Sequence, residues 1–383
     1  MLTVAPKGKN IGFHRNDVQK PPRESSIELL RIFAAFAVIV LHYNGGVGNA
    51  LHFSSGLSRE ILLGLESLCV CAVDVFIMIS GYFLCKTGKR TWDKPVYLIL
   101  LMWIIGSMSY LGMCFANNGI EFGVDFRILL QKAFPPVNYF VVLYIALYII
   151  SPFINIVLNK LSEKGRTIMI VVMLLLFSLY PTMMDSYQLL MDHNYMGIDP
   201  VGAWGQQHGY TIVCFSLCYC IGAWIRLNSI SKNLTKAKVI ALIIACVFGI
   251  YVWYNIESHT VLAGLHELID YNSFSYSNPL VLLLAALLLV LFSNIHFKSY
   301  IINTFSKAAF VSYIFHPIIL HHLQVDVYAW TGGWKLFLHL VISVLIIYFF
   351  SWVLWKALDF ILNPIVKRLS DKAIYKVYEI ESA

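Results

Sequence analysis

The chain has 383 residues, 59% of them hydrophobic and 13% charged, with a formal net charge of +7. Soluble domains average roughly 45–50% apolar and about 25% charged residues, so this composition excludes a soluble globular enzyme. It also excludes a nucleic-acid-binding protein, because the basic residues sit in short loops and no aromatic–basic nucleic-acid module is visible.

The apolar residues fall in blocks of roughly 17–25 residues, the length that crosses a bilayer core. They predict an all-α, polytopic membrane bundle of about ten transmembrane helices with both termini cytoplasmic. Met1–Ser26 is a polar, basic N-terminal tail too short to fold alone. The first apolar run, Ile27–Tyr43, contains a Glu and an Arg and precedes a poor cleavage site at Gly45–Gly48. It reads as a retained helix rather than a signal peptide. The further spans are Ile61–Leu84, Val96–Ala116, Tyr139–Val157, Thr167–Tyr180, Thr211–Leu227, Val239–Asn255, Pro279–Ile295, Ile301–His322 and Leu336–Leu362. Residues 27–362 thus form one transmembrane domain, and 363–383 a short charged cytoplasmic tail.

The loops test this count. Lys and Arg collect in the N-terminal tail and in every second loop: Lys86, Lys89, Arg90 and Lys94; Lys160, Lys164 and Arg166; Arg226, Lys232, Lys236 and Lys238; Lys298 and Lys307; and the tail after Leu362. The intervening Pro181–Tyr210 and Ile256–Asn278 loops carry acids and no Lys or Arg. Cytoplasmic loops are the ones that collect basic residues, and one miscounted helix scrambles the alternation. The basic face also suits anionic membrane lipids or a phosphorylated cosubstrate. The eight cysteines lie almost entirely in apolar runs, where free Cys behaves as a small packing residue. Cys69-x-Cys71 lacks the partners of a zinc pattern, and no metal site is expected.

Ionisable residues inside the spans carry the functional signal, because burying them in a bilayer costs about 2.5–3.5 kcal/mol on insertion scales. Arg31 and His42 lie eleven residues apart in the first span, which places them about 20° apart on one helix face and about 16 Å apart along its axis. Arg31 falls toward the inner end and His42 toward the outer. Glu28, one turn before Arg31, offers an alternative: a simple ion pair, with His42 an interfacial cap. The second span holds Glu66 and, in VDVFIMISGYFL (residues 73–84), Asp74, Ser80 and Gly81. Small residues such as Ser80 and Gly81 also serve plain helix packing. The ninth holds Tyr313 and His316 in FVSYIFHPIIL, with His316 at an outward depth similar to that of His42.

These residues resemble a family signature. Arg, ten residues, then His, preceded by ELLR (Glu28–Arg31), is similar to the first helix of the acyltransferase family 3 membrane proteins. VDVFIMISGYFL, YFVVLYIALYIISPF (residues 139–153), CYCIGAWIR (Cys218–Arg226) and FVSYIFH resemble that family's later motifs, in order, from about residue 25 to about residue 362. The chain departs from the pattern at Asn138–Phe140, where a Trp is common, at Val311, where Gly is frequent, and at Pro317.

The resemblance implies an integral-membrane O-acyltransferase that moves acetyl from acetyl-CoA, a cosubstrate, to a hydroxyl of an envelope glycan or lipid-linked sugar. It implies His42 as general base and Arg31 as the group that steers or holds the donor. Asp74 would support His42 or the proton path, and Glu66 would do so from the same span or contact substrate. Ser80 would line the donor path. Tyr313 and His316 would bind acceptor or stabilise an oxyanion. Lys86, Lys89 and Arg90, which follow Ser80-Gly81 directly, would meet the CoA phosphates. Two other classes compete. A transporter or flippase of a lipid-linked glycan would also use intramembrane Asp and His, although the chain shows no internal repeat of the kind many transporters have. A non-catalytic scaffold explains the topology but not the intramembrane charges.

Overall fold

The computed structural model describes residues 24–118, 124–133, 138–192, 198–203, 205–260, 272–370 and 372–376. In chain order its helices are α1 (Ser25–Asn44), α2 (Ala50–Phe53), α3 (Gly56–Cys69), α4 (Ala72–Leu84), α5 (Asp93–Asn118), α6 (Phe126–Ala133), α7 (Tyr139–Lys160), α8 (Glu163–Leu174), α9 (Tyr180–Asp192), α10 (Ile212–Leu227), α11 (Lys236–Thr260), α12 (Pro279–Ser293), α13 (Tyr300–Phe305), α14 (Ala309–Leu320), α15 (Val325–Thr331) and α16 (Gly333–Ser370). Several starts are capped as the sequence dictates. Asn138 accepts from the backbone N–H groups of Phe140 and Val141, Thr211 from that of Cys214, and Asn278 from that of Leu280, which satisfies donors that a helix start leaves open.

Eight helical segments among the described residues are long and apolar enough to cross a membrane; α13–α14 with α15 makes a ninth, bent by 75°, and the apolar α10 is a shorter segment of 16 residues. The protein is therefore a multi-pass integral membrane protein, with eight or nine such spans among the described residues against the ten expected, because α10 is shorter than the other spans. Spans are not equally central. The α3–α4 span is 72% buried, α12 with the residues before it 67%, and α1 56%, whereas α5, α8–α9 and α11 are 22% buried. The less buried helices turn apolar surface such as Trp103, Val171 and Phe248 outward, which only a hydrocarbon surrounding accommodates. α1 lies inside, packed against α3, α4, α12, α13, α14 and α16.

Two boundaries differ from expectation, and one small sheet is added. The expected fifth span ended at Tyr180, before Pro181; the helix in fact runs from Glu163 to Asp192 through a π-helical turn at Leu175–Leu179. Pro cannot donate to the helix ladder and crowds the preceding turn, and the widened turn just before it lets the helix continue. α16 carries Pro364 inside it and reaches Ser370 instead of ending at Leu362. The following strand β2 (Ala373–Lys376) pairs antiparallel with β1 (Lys89–Thr91), a small two-stranded sheet in an otherwise helical protein.

The tightest crossing joins α4 to α10. A Cβ built on Gly81 would lie 2.0 Å from the Tyr219 carbonyl oxygen, and one on Gly222 2.0 Å from that of Met78. Each glycine accepts the backbone of the other helix, the approach that small residues permit between transmembrane helices.

Candidate functional site

Two cavities border α1. The larger, about 760 Å³, opens where the N-terminal end of α1 meets α4, α5, α7, α10 and α16; its lining includes Arg31, Ser80, Phe76, Phe140, Phe310 and Trp355. The smaller, about 170 Å³, is lined by His42 and His316 together with Asn138, Tyr139, Tyr210, Tyr276 and Tyr313. Glu24, just before α1, and Asn363 and Val366, near the end of α16, all line the large cavity, so the start of α1 and the end of α16 lie on one face of the bundle. The two chambers lie at opposite ends of the Arg31–His42 stretch.

At the large cavity Arg31 donates to the Glu28 carboxylate, and both side chains line the chamber. The ion pair and the cavity position are thus both real. Ser80 Oγ donates to the Phe76 carbonyl oxygen at 3.1 Å and lies 3.3 Å from the Tyr144 hydroxyl. Its neighbour Gly81 serves the α4–α10 crossing, so the two readings of Ser-Gly are each true of one residue. The other cations in the wall are Lys94, Arg226 and Lys307. Arg226 pairs with Glu24 at 3.4 Å and lies over the Tyr82 ring. Lys307 lies 5.3 Å from the centre of the Trp355 ring, and Lys94 5.7 Å from that of Tyr148. Neither lysine forms an ion pair among the described residues.

Sequence order singled out the wrong cations here. Lys86 and Lys89 are exposed and do not line the chamber. Arg90 is 1% exposed. Its guanidinium donates to the Tyr148 carbonyl oxygen (2.9 Å), to Ser151 Oγ (2.7 Å), to Thr87 Oγ1 (2.7 Å) and to its neighbour's carbonyl (2.9 Å). It clamps α7 to the loop after α4, the loop that β2 also covers. Proximity in sequence to Ser80 promised a phosphate contact; the fold uses up the donors of Arg90 instead. Hydrogen bonds to a charged group contribute about 1.5–3 kcal/mol each. Arg90→Ala is therefore expected to lower thermal stability by about 2–4 kcal/mol and to leave the apparent KM for a CoA donor unchanged in the protein that remains folded. A raised KM without loss of stability would reinstate the phosphate role.

At the small cavity the two histidines meet, their ring centres 4.6 Å apart. His316 Nδ1 lies 3.0 Å from the Ser312 carbonyl oxygen. A carbonyl only accepts, so Nδ1 carries the hydrogen and Nε2 is left as an acceptor. That Nε2 is buried and makes no hydrogen bond among the described residues. Of the two roles expected for His316, contact with an acceptor hydroxyl fits this tautomer, and oxyanion stabilisation, which needs a donor, does not. The Tyr313 hydroxyl donates to Asn138 Oδ1 at 3.3 Å. The end of α1 is folded over by the following loop: the Gly48 N–H donates to the His42 carbonyl oxygen at 2.8 Å, and a Cβ on Gly46, whose φ is +55°, would lie 3.3 Å from His42 Nδ1.

The two expected carboxylate helpers lie elsewhere. Asp74 is 2% exposed, accepts from the Cys218 thiol at 3.5 Å, and lines neither cavity. Its spacing on α4 turns it toward α10 rather than α1. Asp74, Cys214 and Cys218 offer ligand atoms within 4.8 Å of one another, close enough to hold a metal ion, but apart from both chambers. Glu66 accepts from Asn44 Nδ2 at 2.9 Å. It ties α3 to the last residue of α1, and lines neither chamber.

Tyr210 and Tyr276 went unnoticed in the sequence, and Tyr139 was read only as part of the motif at residues 139–153. They come from α7 and from two outer loops, and pack as Tyr139–Tyr210 at 4.4 Å and Tyr210–Tyr276 at 5.1 Å between ring centres. The Tyr276 N–H donates to the His208 carbonyl oxygen at 3.0 Å, which locks the loops together. Nothing in the spacing of single tyrosines in separate loops announces such convergence.

The model of the family described as an acyltransferase domain matches residues 24–356. Comparison with curated proteins and with solved structures gave no match.

Proposed function

Because the chain belongs to that acyltransferase family, and is a membrane acyltransferase, we propose that it carries an acyl group, acetyl first among them, from acyl-CoA in the cytoplasm to a hydroxyl of an envelope or lipid-linked glycan. The observation that carries this reading is that one helix, α1, puts Arg31 into the wall of a 760 Å³ chamber and His42 into that of a second chamber beside His316. The large chamber and both chain ends face the cytoplasm in this reading, in keeping with the basic loops.

The donor enters the large chamber with its anionic end toward Lys94, Arg226 and Lys307, and its thioester arm along Ser80 and Arg31. The separation of Arg31 and His42, about 16 Å along the helix, is the distance the arm spans to bring the thioester to His42. There His42 accepts the proton of the acceptor hydroxyl as its oxygen attacks the thioester carbon. His316 Nε2 orients the sugar by accepting from a neighbouring hydroxyl, which leaves the reacting O–H to His42. The carbon–sulfur bond breaks, the new carbon–oxygen ester bond remains, and the departing CoA thiolate takes up a proton. Imidazole is the usual general base for such a step at neutral pH.

Protein reconstituted in vesicles, supplied with acetyl-CoA and envelope glycan, is expected to release CoA thiol and to form glycan O-esters in equal amounts. Movement of glycan with no thiol release would replace this reading by transport. In the same assay Arg31→Ala is expected to raise the apparent KM for acetyl-CoA about tenfold, since a charge-assisted contact contributes about 1.5–3 kcal/mol, and to affect kcat less. An unchanged KM removes Arg31 from the donor path.

A further inference from the structure

The two chambers meet at a layer of aromatic rings. Phe140 is its hub, 3% exposed and held at the start of α7, whose first turn is capped by Asn138. Around it lie Tyr313 at 4.8 Å, Phe310 at 6.1 Å and Phe76 at 6.4 Å between ring centres, with Phe310 and Tyr313 themselves 6.1 Å apart. Aromatic pairs in contact have centres about 4.5–7 Å apart, so these rings touch. Phe76, Phe140 and Phe310 face the large chamber and Tyr313 the small one. The layer therefore lies between the space that contains Arg31 and the space that contains the histidines.

We infer that this aromatic layer is an acyl-length filter, in which Phe76 and Phe310 set how long an acyl chain can pass from the large chamber to His42; the inference rests on the acyl-transfer reading above. The acyl chain is the leading end of a donor that enters from the Arg31 side. Every one of its methylenes must cross the rings before the thioester carbon reaches His42. Phe140 touches the cavity with little of its ring and is also packed by Tyr144 at 5.8 Å and Phe215 at 5.7 Å, and is the fixed part. Phe76 and Phe310 are half-buried with one side on open cavity, so they are the rings free to turn. Beyond the layer the small chamber has about 170 Å³ for both the acyl chain and the acceptor hydroxyl. Close-packed interiors respond to volume changes of a single methylene, and one methylene too many for an apolar site costs roughly 10–200-fold in specificity.

The test uses the full-length protein in vesicles with envelope glycan and, in turn, acetyl-, propionyl-, butyryl- and hexanoyl-CoA, with esters on the glycan counted by mass spectrometry. Wild-type protein is expected to transfer acetyl at least about tenfold faster than butyryl. Phe310→Ala and Phe76→Ala are expected to raise the butyryl-to-acetyl ratio at least about tenfold, and Phe310→Trp to lower the propionyl-to-acetyl ratio. Ratios within one preparation are insensitive to a general loss of folded protein, and a merely structural role for the rings does not shift them in opposite directions. Ratios unchanged in all three variants, or a wild type that transfers hexanoyl as fast as acetyl, overturn the filter while leaving acyl transfer intact. A wild type that transfers none of the four removes the acyl-transfer reading, and the filter with it.

Discussion

His42→Ala is expected to lower acceptor-dependent transfer by about 10²–10⁴-fold, the usual contribution of a positioned general base, while folded protein is recovered in normal amount. The packing around the ring supports the second half of that expectation. His42 lies at the last turn of α1, beside a chamber, with its ring against His316 rather than deep in the apolar core. The residues that anchor this end of α1 are Tyr43, whose hydroxyl meets His339 Nδ1 at 2.8 Å, and Asn44, which donates to Glu66 and to the Leu62 carbonyl oxygen. None of these contacts uses the imidazole. The assay is CoA thiol release per mole of folded protein, with folded protein measured separately by size-exclusion profile and thermal midpoint. Transfer within about threefold of wild type would take the base role from His42, since even the weak end of the range lies near a hundredfold. His316 would then be the candidate, because its Nε2 already stands as a free acceptor in the same chamber.

The bundle and the chamber-lining positions of Arg31 and His42 were legible in the sequence, for a physical reason. A helix in lipid must be long and apolar, so its length and its few charges are both visible from composition. A spacing of eleven residues fixes two side chains on one face whatever the helix packs against. Arg31, His42 and His316 were found in this way, Ser80 and Tyr313 were singled out through the family resemblance, and each of the five lines one of the two chambers. The helpers were misassigned because their neighbours come from other helices. Asp74 faces Cys218, 144 positions away, and Arg90 meets Ser151 across 61. No periodicity within α4 distinguishes the side that faces α1 from the side that faces α10. Lys94 and Lys307 show the same limit from the other side. The charge pattern grouped Lys94 with Lys86, Lys89 and Arg90, and Lys307 with Lys298, and only packing brings the two to one wall. The extension of α8 through Pro181 was hidden because a proline normally marks a helix start or end, and the π turn that accommodates it has no sequence signature of its own.

The second large effect concerns folding. Gly222→Ala is expected to prevent accumulation of folded protein, and Gly81→Ala to do the same. An added Cβ would stand 2.0 Å from a backbone carbonyl oxygen in each case, and a backbone atom, unlike the end of a side chain, cannot swing aside. To relieve the clash α4 and α10 must separate by more than 1 Å, on the order of the gap between 2.0 Å and an ordinary van der Waals contact of about 3.5 Å. Overpacking a well-filled core costs about 1–3 kcal/mol and more where nothing relaxes, and lipid supplies no hydrophobic force to press the helices back together. Gly112 in α5 is the control: no atom lies within 4 Å of the position its Cβ would take, and alanine there is expected to be neutral or to stabilise by up to about 1 kcal/mol through helix propensity. Expression and thermal midpoint in detergent separate the two cases, and equal behaviour of Gly222→Ala and Gly112→Ala would show that the crossing is not tight. The consequence reaches the site. Ser80 and Arg226 line the large chamber from α4 and α10, one residue before Gly81 and one turn after Gly222. Any variant that survives with these helices forced apart has the large chamber widened at those two side chains, and under the proposed acyl transfer it should show a raised KM for acyl-CoA even where His42 and His316 keep their places.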